Sequence, residues 1–195
     1  MELDMELQGV KLIIKNYYDF FSDNFIESFI ANIPYQKETH ISELNKFAVV
    51  KFEQDNQKVL LFFNGNNIQL EIQTLEGLYL ILEILEMLEE KAEKALNIES
   101  INFTGAIETD SHTDTYNPSF SNEFPASIKV KMLGIDIENE KFNYRISLNK
   151  HHKSTKVTAK VLLKSSLKII EKQAMEAFEE LREYLKKLQK TLERS

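Results

Sequence analysis

Seven short segments rich in β-branched and aromatic residues constrain the fold of this chain more than any other feature. Residues of these types fit the pleated, half-buried surface of a β-strand, and turn-forming sequences such as Asn64-Gly65 separate neighbouring segments. The run from Val59 to Phe63 has no polar alternation, which predicts a strand covered on both faces. The predicted strands are 47–53, 58–64, 68–73, 100–110, 128–138, 141–148 and 155–163.

Three other segments have the three- and four-residue spacing of apolar side chains that is typical of helices. The first predicts a helix over 9–32, with two shorter helices interrupted at Asp23 as the alternative. A polar connector then leads to the first strand. The second helix, from a capping Thr74 to about Leu96, is apolar almost all round in its first part, so we expect it in the core or at an interface. The third, 166–193, has a broad apolar stripe.

These elements predict an α+β fold. It would have one or more antiparallel sheets of about seven strands, an N-terminal helix, a central apolar helix and a long C-terminal amphipathic helix. The 195 residues suit one compact domain, 1–195. Strands followed by a helix occur twice, in 47–96 and in 100–193, so an alternative is two sublobes, 1–99 and 100–195. The halves share no convincing sequence identity, and two sheets or one continuous sheet would both fit.

Composition excludes several classes of protein. With 43% hydrophobic and 28% charged residues, the chain has the profile of an ordinary folded domain. It has no cysteine, which excludes disulfides and thiolate chemistry and suits a reducing compartment. The most apolar window contains Glu76, Glu83 and Glu86, which would be costly inside a bilayer, and the acidic start differs from a secretory signal. We expect a cytoplasmic protein without a membrane span, with a composition that suits a bacterial or phage source.

Charge is distributed unevenly along the chain. Residues 1–99 contain 18 Asp and Glu against 8 Lys and Arg, whereas 100–195 contain 13 against 16. In the predicted strand 155–163, alternation directs lysines to one face and aliphatic residues to the other. Neighbouring strands extend this set if they are adjacent in the sheet. We therefore predict a basic sheet face formed by Lys129, Lys131, Arg145, Lys156, Lys160 and Lys164.

The basic face has two interpretations. A solvated face whose lysines prevent edge-to-edge aggregation is the simpler one, and a surface that binds anions or a protein is the alternative. Nucleic acid is disfavoured, because the overall charge is −7 and Phe142 and Tyr144 fall on the opposite side of their strand from the basic residues. An acidic protein surface, on another protein or on a second copy of this chain, is the better match.

Two His-x-Ser triplets are weak candidates for a catalytic site. Such triplets are similar to the minimal element of the two-histidine phosphoesterases, in which paired imidazoles act as general acid and base on a phosphodiester. In that family apolar residues flank the triplet on a strand, whereas both triplets here look like polar connectors, so a chance occurrence is the simpler interpretation. The candidate catalytic residues are His40, Ser42, His152 and Ser154.

Asp110, His112 and Asp114 alternate in a long polar segment and are weak candidates for a divalent-cation site. The pattern of a calcium loop fails, because Thr115 stands where glycine is needed and Ser121 where an acid is needed. A hydrated loop is the simpler interpretation. The sequence contains no phosphate loop, dinucleotide glycine pattern, zinc spacing or nucleophile elbow, so we expect no cofactor.

These observations favour a non-enzymatic protein-binding module, such as a chaperone, adaptor, inhibitor or assembly component. It would use the basic sheet face and the surplus apolar surface of the helices, and a homodimer is one form that this binding could take. One alternative is a binder of a small apolar ligand in a cavity between sheet and helices. A second alternative is a phosphoesterase of the two-histidine type.

Overall fold

A computed structural model describes residues 5–15, 21, 24–42, 44–65, 67–108, 132–151, 154–165 and 167–193, without the side chains of 164, 165, 167 and 189–193. Within these residues, nine strands form one antiparallel sheet in the order β2-β3-β4-β5-β1-β6-β9-β8-β7. The strands are β1 (Met5–Lys15), β2 (Lys37–Ser42), β3 (Phe47–Gln54), β4 (Gln57–Asn64), β5 (Asn67–Ile72), β6 (Asn97–Glu108), β7 (Met132–Glu138), β8 (Asn143–His151) and β9 (Ser154–Ser165). The helices are α1 (Phe25–Asn32), α2 (Leu78–Ala92) and α3 (Leu167–Glu193), and one 3-10 turn at Leu75–Gly77 precedes α2.

The predicted class is confirmed, because the protein is α+β with one antiparallel sheet and three helices in roughly the predicted order. The sheet has nine strands in the described residues, instead of about seven. The helix predicted for 9–32 is wrong over its first part, where the chain forms β1. Val10, Leu12 and Ile14 are buried and the residues between them are less so, which shows that the period is two.

The second unpredicted strand is β2, which lies in the expected polar connector. Its six side chains are exposed or half-buried, as suits a strand at the edge of a sheet. An edge strand of this kind buries too little apolar surface to require alternating hydrophobic residues. The sequence therefore carries no strong signal for β2.

One face of the sheet is apolar from β3 to β8. Directly opposed residues of an antiparallel pair point to the same side, so the strand register defines this face. One line of opposed residues crosses it, and each member is almost fully buried. The line consists of Val50, Leu61, Leu70, Leu12, Ile101, Val161 and Tyr144.

The three helices pack on this apolar face. Phe29 of α1 meets Phe63 of β4 edge to face, with ring centroids 6.0 Å apart, and Phe178 of α3 lies 5.3 Å from Phe103 of β6. The apolar residues of α2 are largely buried, so most of its surplus hydrophobic surface belongs to the core, although Tyr79 is 43% exposed. Among the described residues, no helix has both the length and the hydropathy that a membrane crossing needs.

The strand order is nearly symmetric about the centre of the sheet. From β1 the order runs outward through β5, β4, β3 and β2, and from β6 it runs outward through β9, β8 and β7. The central strands β1 and β6 pair antiparallel, as a two-fold axis between them would require. The two strand-then-helix halves of the sequence thus have related topologies and share one sheet. In the described residues, the second half has no counterpart of β2.

Candidate binding surface on the open face of the sheet

The side of the sheet away from the helices is called the open face. One residue from each strand forms a line across it, called the charged row, because opposed residues point to the same side. With neighbouring strands about 4.8 Å apart, the row is about 38 Å long. It consists of Glu38, Lys51, Leu60, Glu71, Lys11, Asn102, Lys160, Arg145 and Asp136.

A second line of open-face residues lies beside the charged row and is called the apolar row after its four hydrophobic members, although its other five members are polar or charged. Phe62 is half-buried and lies near Phe47, with ring centroids 6.4 Å apart. Leu162 is 48% exposed, and Ile13 is half-buried. The row consists of His40, Val49, Phe62, Gln69, Ile13, Ser100, Leu162, Asn143 and Glu138. The open face thus offers hydrophobic surface next to a line of charges.

The run from Val59 to Phe63 is covered on one face only, which corrects the expectation of a strand covered on both. Val59, Leu61 and Phe63 are buried under the helices, while Leu60 and Phe62 are half-buried on the open face. Both faces of β4 are apolar, yet the helices lie on only one of them.

Three of the predicted basic residues lie together on the open face. In β9, Val157, Ala159 and Val161 are fully buried, and the alternate residues Lys156 and Lys160 are on the other side. Arg145 of β8 is directly opposite Lys160. Lys164 lies in β9, but its side chain is outside the described residues, as are Lys129 and Lys131 entirely.

These basic side chains are only partly neutralised. Arg145 donates a hydrogen bond from Nε to Asp136 Oδ1 at 3.0 Å, and both side chains are largely exposed. Lys156 and Lys160 have no carboxylate within ion-pair distance in the described part of the chain. Like charges directly opposite on neighbouring strands repel, and Asp136 offsets the repulsion between Lys160 and Arg145 only on the Arg145 side. Nearer the sheet centre, Lys11 forms an ion pair with Glu71.

A groove of about 900 Å³ runs over the middle of the open face. Leu60, Asn102, Thr104 and Thr158 contribute to its lining, together with side chains of both charges. The amide oxygen of Asn102 is buried there and has no hydrogen-bond partner among the described residues. The groove is therefore amphipathic, and one buried acceptor in its lining has no partner among the described residues.

The described members of the two His-x-Ser triplets, His40, Ser42 and Ser154, lie on distant strands of the sheet. His40 and Ser42 lie in the edge strand β2, Ser154 begins β9, and His152 is outside the described residues. Six strand spacings separate β2 from β9, which is about 29 Å. A general acid and a general base must both reach one substrate, so His40 and Ser42 are too far from Ser154 to act with it on one phosphodiester.

The candidate cation ligands Asp110, His112 and Asp114 lie outside the described residues. Where the structure does describe the chain, no group of three or more His, Asp or Glu side chains is arranged to hold a metal ion.

Comparison with known proteins assigns no family to this sequence. Neither the models of known protein families nor the curated proteins contain a match to this chain. The functional inference therefore depends on the surfaces described above.

Proposed function

We propose that the protein is a non-enzymatic protein-binding module whose open face receives a partner with an acidic surface. The observation that carries this proposal is the group formed by Lys156, Lys160 and Arg145 on one exposed sheet face. Lys156 and Lys160 have no counter-charge in the described residues. An acidic partner would supply it and would relieve the repulsion between Lys160 and Arg145.

The hydrophobic part of the proposed interface is the apolar row, in place of the helix surface expected from the sequence. Leu162 lies on β9 beside Lys160, while Ile13 and Phe62 continue the row two and four strands away, on β1 and β4. All three keep part of their surface exposed. Protein interfaces commonly combine an apolar centre with a polar rim that selects the partner. The open face has this composition, which suits a chaperone, adaptor, inhibitor or assembly component.

Two observations favour this proposal over the alternatives. Between sheet and helices, where a small apolar ligand would bind, side chains such as Ile81, Ile84 and Phe103 are fully buried and belong to one packed core. For phosphoester hydrolysis, His40 and Ser42 on β2 are six strand spacings from Ser154 on β9, so these three candidate residues would not meet at one substrate.

Reversing the charge of Lys156 and Lys160 tests the proposal. We expect K156E/K160E to fold normally, because exposed substitutions usually change stability by less than about 0.5 kcal/mol. Partners that the wild-type protein recovers from an extract of its native host should be lost, and wild-type binding should weaken as salt is added. Circular dichroism verifies folding, and quantitative pull-down measures binding.

A matched control carries the same change of charge on the opposite layer. Lys168 and Lys172 are exposed on α3, so K168E/K172E alters net charge equally without touching the open face. It should retain the partners. If K156E/K160E also retains them, or if both variants lose them equally, the open face is not the binding surface.

A further inference from the structure

The exposed side of α2 carries a stripe of glutamates. Glu83, Glu86 and Glu90 are spaced by three and four residues, so they lie on one face of the helix, and Glu93 continues the line just after its end. All four are exposed, and together they are called the acidic stripe. Opposite them, the buried side of α2 packs into the core.

The acidic stripe has no ion pair with Lys or Arg in the part of the chain that the structure describes. Glu83 accepts a hydrogen bond from the hydroxyl of Tyr35, and the nearby Lys91 donates to Ser28 instead of to a glutamate of the stripe. The acids of α3 differ, because Glu176, Glu179 and Glu183 all have basic partners on their own helix. Those partners are Lys172, Arg182 and Lys186.

Two physical effects make the acidic stripe unfavourable in an isolated molecule. Carboxylates three or four residues apart on a helix repel each other. Glu90 and Glu93 also lie at the C-terminal end of α2, where the helix dipole disfavours negative charge. A cationic surface placed over the stripe would relieve both effects.

We infer that the acidic partner of the open face is a second copy of this chain, bound through its acidic stripe; this rests on the proposed function. Charge complementarity selects this occupant, because Lys156 and Lys160 on one surface and the acidic stripe on the other have no ion-pair partner among the described residues. The spacings are also similar. The Cβ atoms of Lys160 and Arg145 are about 5 Å apart across the two strands. The helical rise from Glu86 to Glu90 is about 6 Å.

The arrangement of layers determines the kind of assembly. The basic group lies on the open face and the acidic stripe on the helix layer, on opposite sides of the molecule, so the two cannot meet within one chain. A symmetric pair cannot use both contacts at once for the same reason. The contact is head to tail, and it extends into a chain or closes into a ring as concentration rises.

Two neutralising variants test this inference. K156Q/K160Q removes charge from the open face and keeps the acidic stripe, whereas E86Q/E90Q does the reverse. Sedimentation velocity should show concentration-dependent association of the wild-type protein at about 50 mM salt, and loss of association at about 500 mM. Each variant alone should associate at least about tenfold more weakly, which corresponds to about 1.4 kcal/mol.

An equal mixture of the two variants gives the sharpest result. The intact open face of E86Q/E90Q can bind the intact acidic stripe of K156Q/K160Q, but neither molecule can add a further copy. Association should therefore return and stop at two subunits. Wild-type-like association of E86Q/E90Q alone would overturn the inference and leave the open face as the binding surface.

The remaining outcomes are also decisive. A wild-type protein that stays monomeric at low salt overturns the second copy as partner, and the host-extract experiment then decides the proposed function by itself. If K156Q/K160Q associates as the wild type does, then the open face does not mediate self-association and the inference is wrong. Circular dichroism of all variants confirms that lost association is not caused by unfolding.

Discussion

At the scale of single residues, Tyr35 connects three parts of the fold. Its ring stacks on Phe52 of β3 with centroids 4.9 Å apart, and its hydroxyl donates to Glu83 of α2. Burial, the hydrogen bond to Glu83 and the negative charge of that carboxylate raise the pKa of Tyr35 to about 12. The folded protein therefore holds this proton more tightly than the unfolded chain does.

Replacing Tyr35 with phenylalanine should lower stability and change its dependence on pH. Loss of the hydrogen bond should cost about 1 kcal/mol at neutral pH. Because the folded pKa is raised from 10.0 to about 12, the stability that Tyr35 contributes is fully present below pH 10 and is lost as pH rises toward 12. Urea unfolding of both proteins at several pH values measures this. If the difference between them stays constant from pH 10 to 12, the raised pKa does not contribute to stability.

At the scale of elements, most strands were predictable from the sequence, whereas β1 and β2 were missed for different reasons. β3, β4, β5 and β9 lie within a few residues of their predicted positions, because packing under the helices demands apolar residues at alternate positions. β2 is an edge strand and carries no such demand. β1 was obscured by the adjacent residues Ile13 and Ile14, which give a two-residue alternation the appearance of a helical stripe.

Because β1 was predicted as a helix, the open-face positions of its side chains could not be predicted either. Lys156, Lys160 and Arg145 could be assigned to one face from side-chain parity within β8 and β9. Lys11 and Ile13 could not, because parity has no meaning until β1 is recognised as a strand. Which strands are neighbours depends on pairings between distant parts of the chain, and no local pattern encodes them.

The pairing of β1 with β6 depends on Gly105. A Cβ atom at this position would collide with the backbone oxygen of Glu6 and with the side chain of Met5. Gly105→Ala should therefore destabilise the protein by about 1 to 3 kcal/mol. Gly134→Ala in β7 is the matched control, since no atom lies within 4 Å of its added Cβ. Denaturant unfolding compares the two variants, and equal stability would show that the central strands can separate to accommodate the methyl group.

At the scale of the whole molecule, the two halves of the sequence share one sheet and one core. β1 and β6 pair along most of their length, and buried side chains from both halves form a single cluster. The halves differ in charge, but they meet through an uncharged apolar face.

This arrangement predicts one cooperative unfolding transition. Tyr35→Trp places a fluorescent reporter in the first half, and Tyr184→Trp places one on α3 in the second, both at half-buried positions. The midpoints from each reporter and from circular dichroism should coincide. Two separate transitions would show that the halves are independent sublobes.

The central position of β1 also has a consequence for synthesis on the ribosome. Val10 pairs with Ile72 on one side and with Phe103 on the other, so β1 is translated long before either neighbour exists. Until its partner strands emerge, β1 is an unpaired hydrophobic strand that can form non-native pairings. β1 therefore gains its first neighbour once β5 has left the exit tunnel, and its second only after β6 follows.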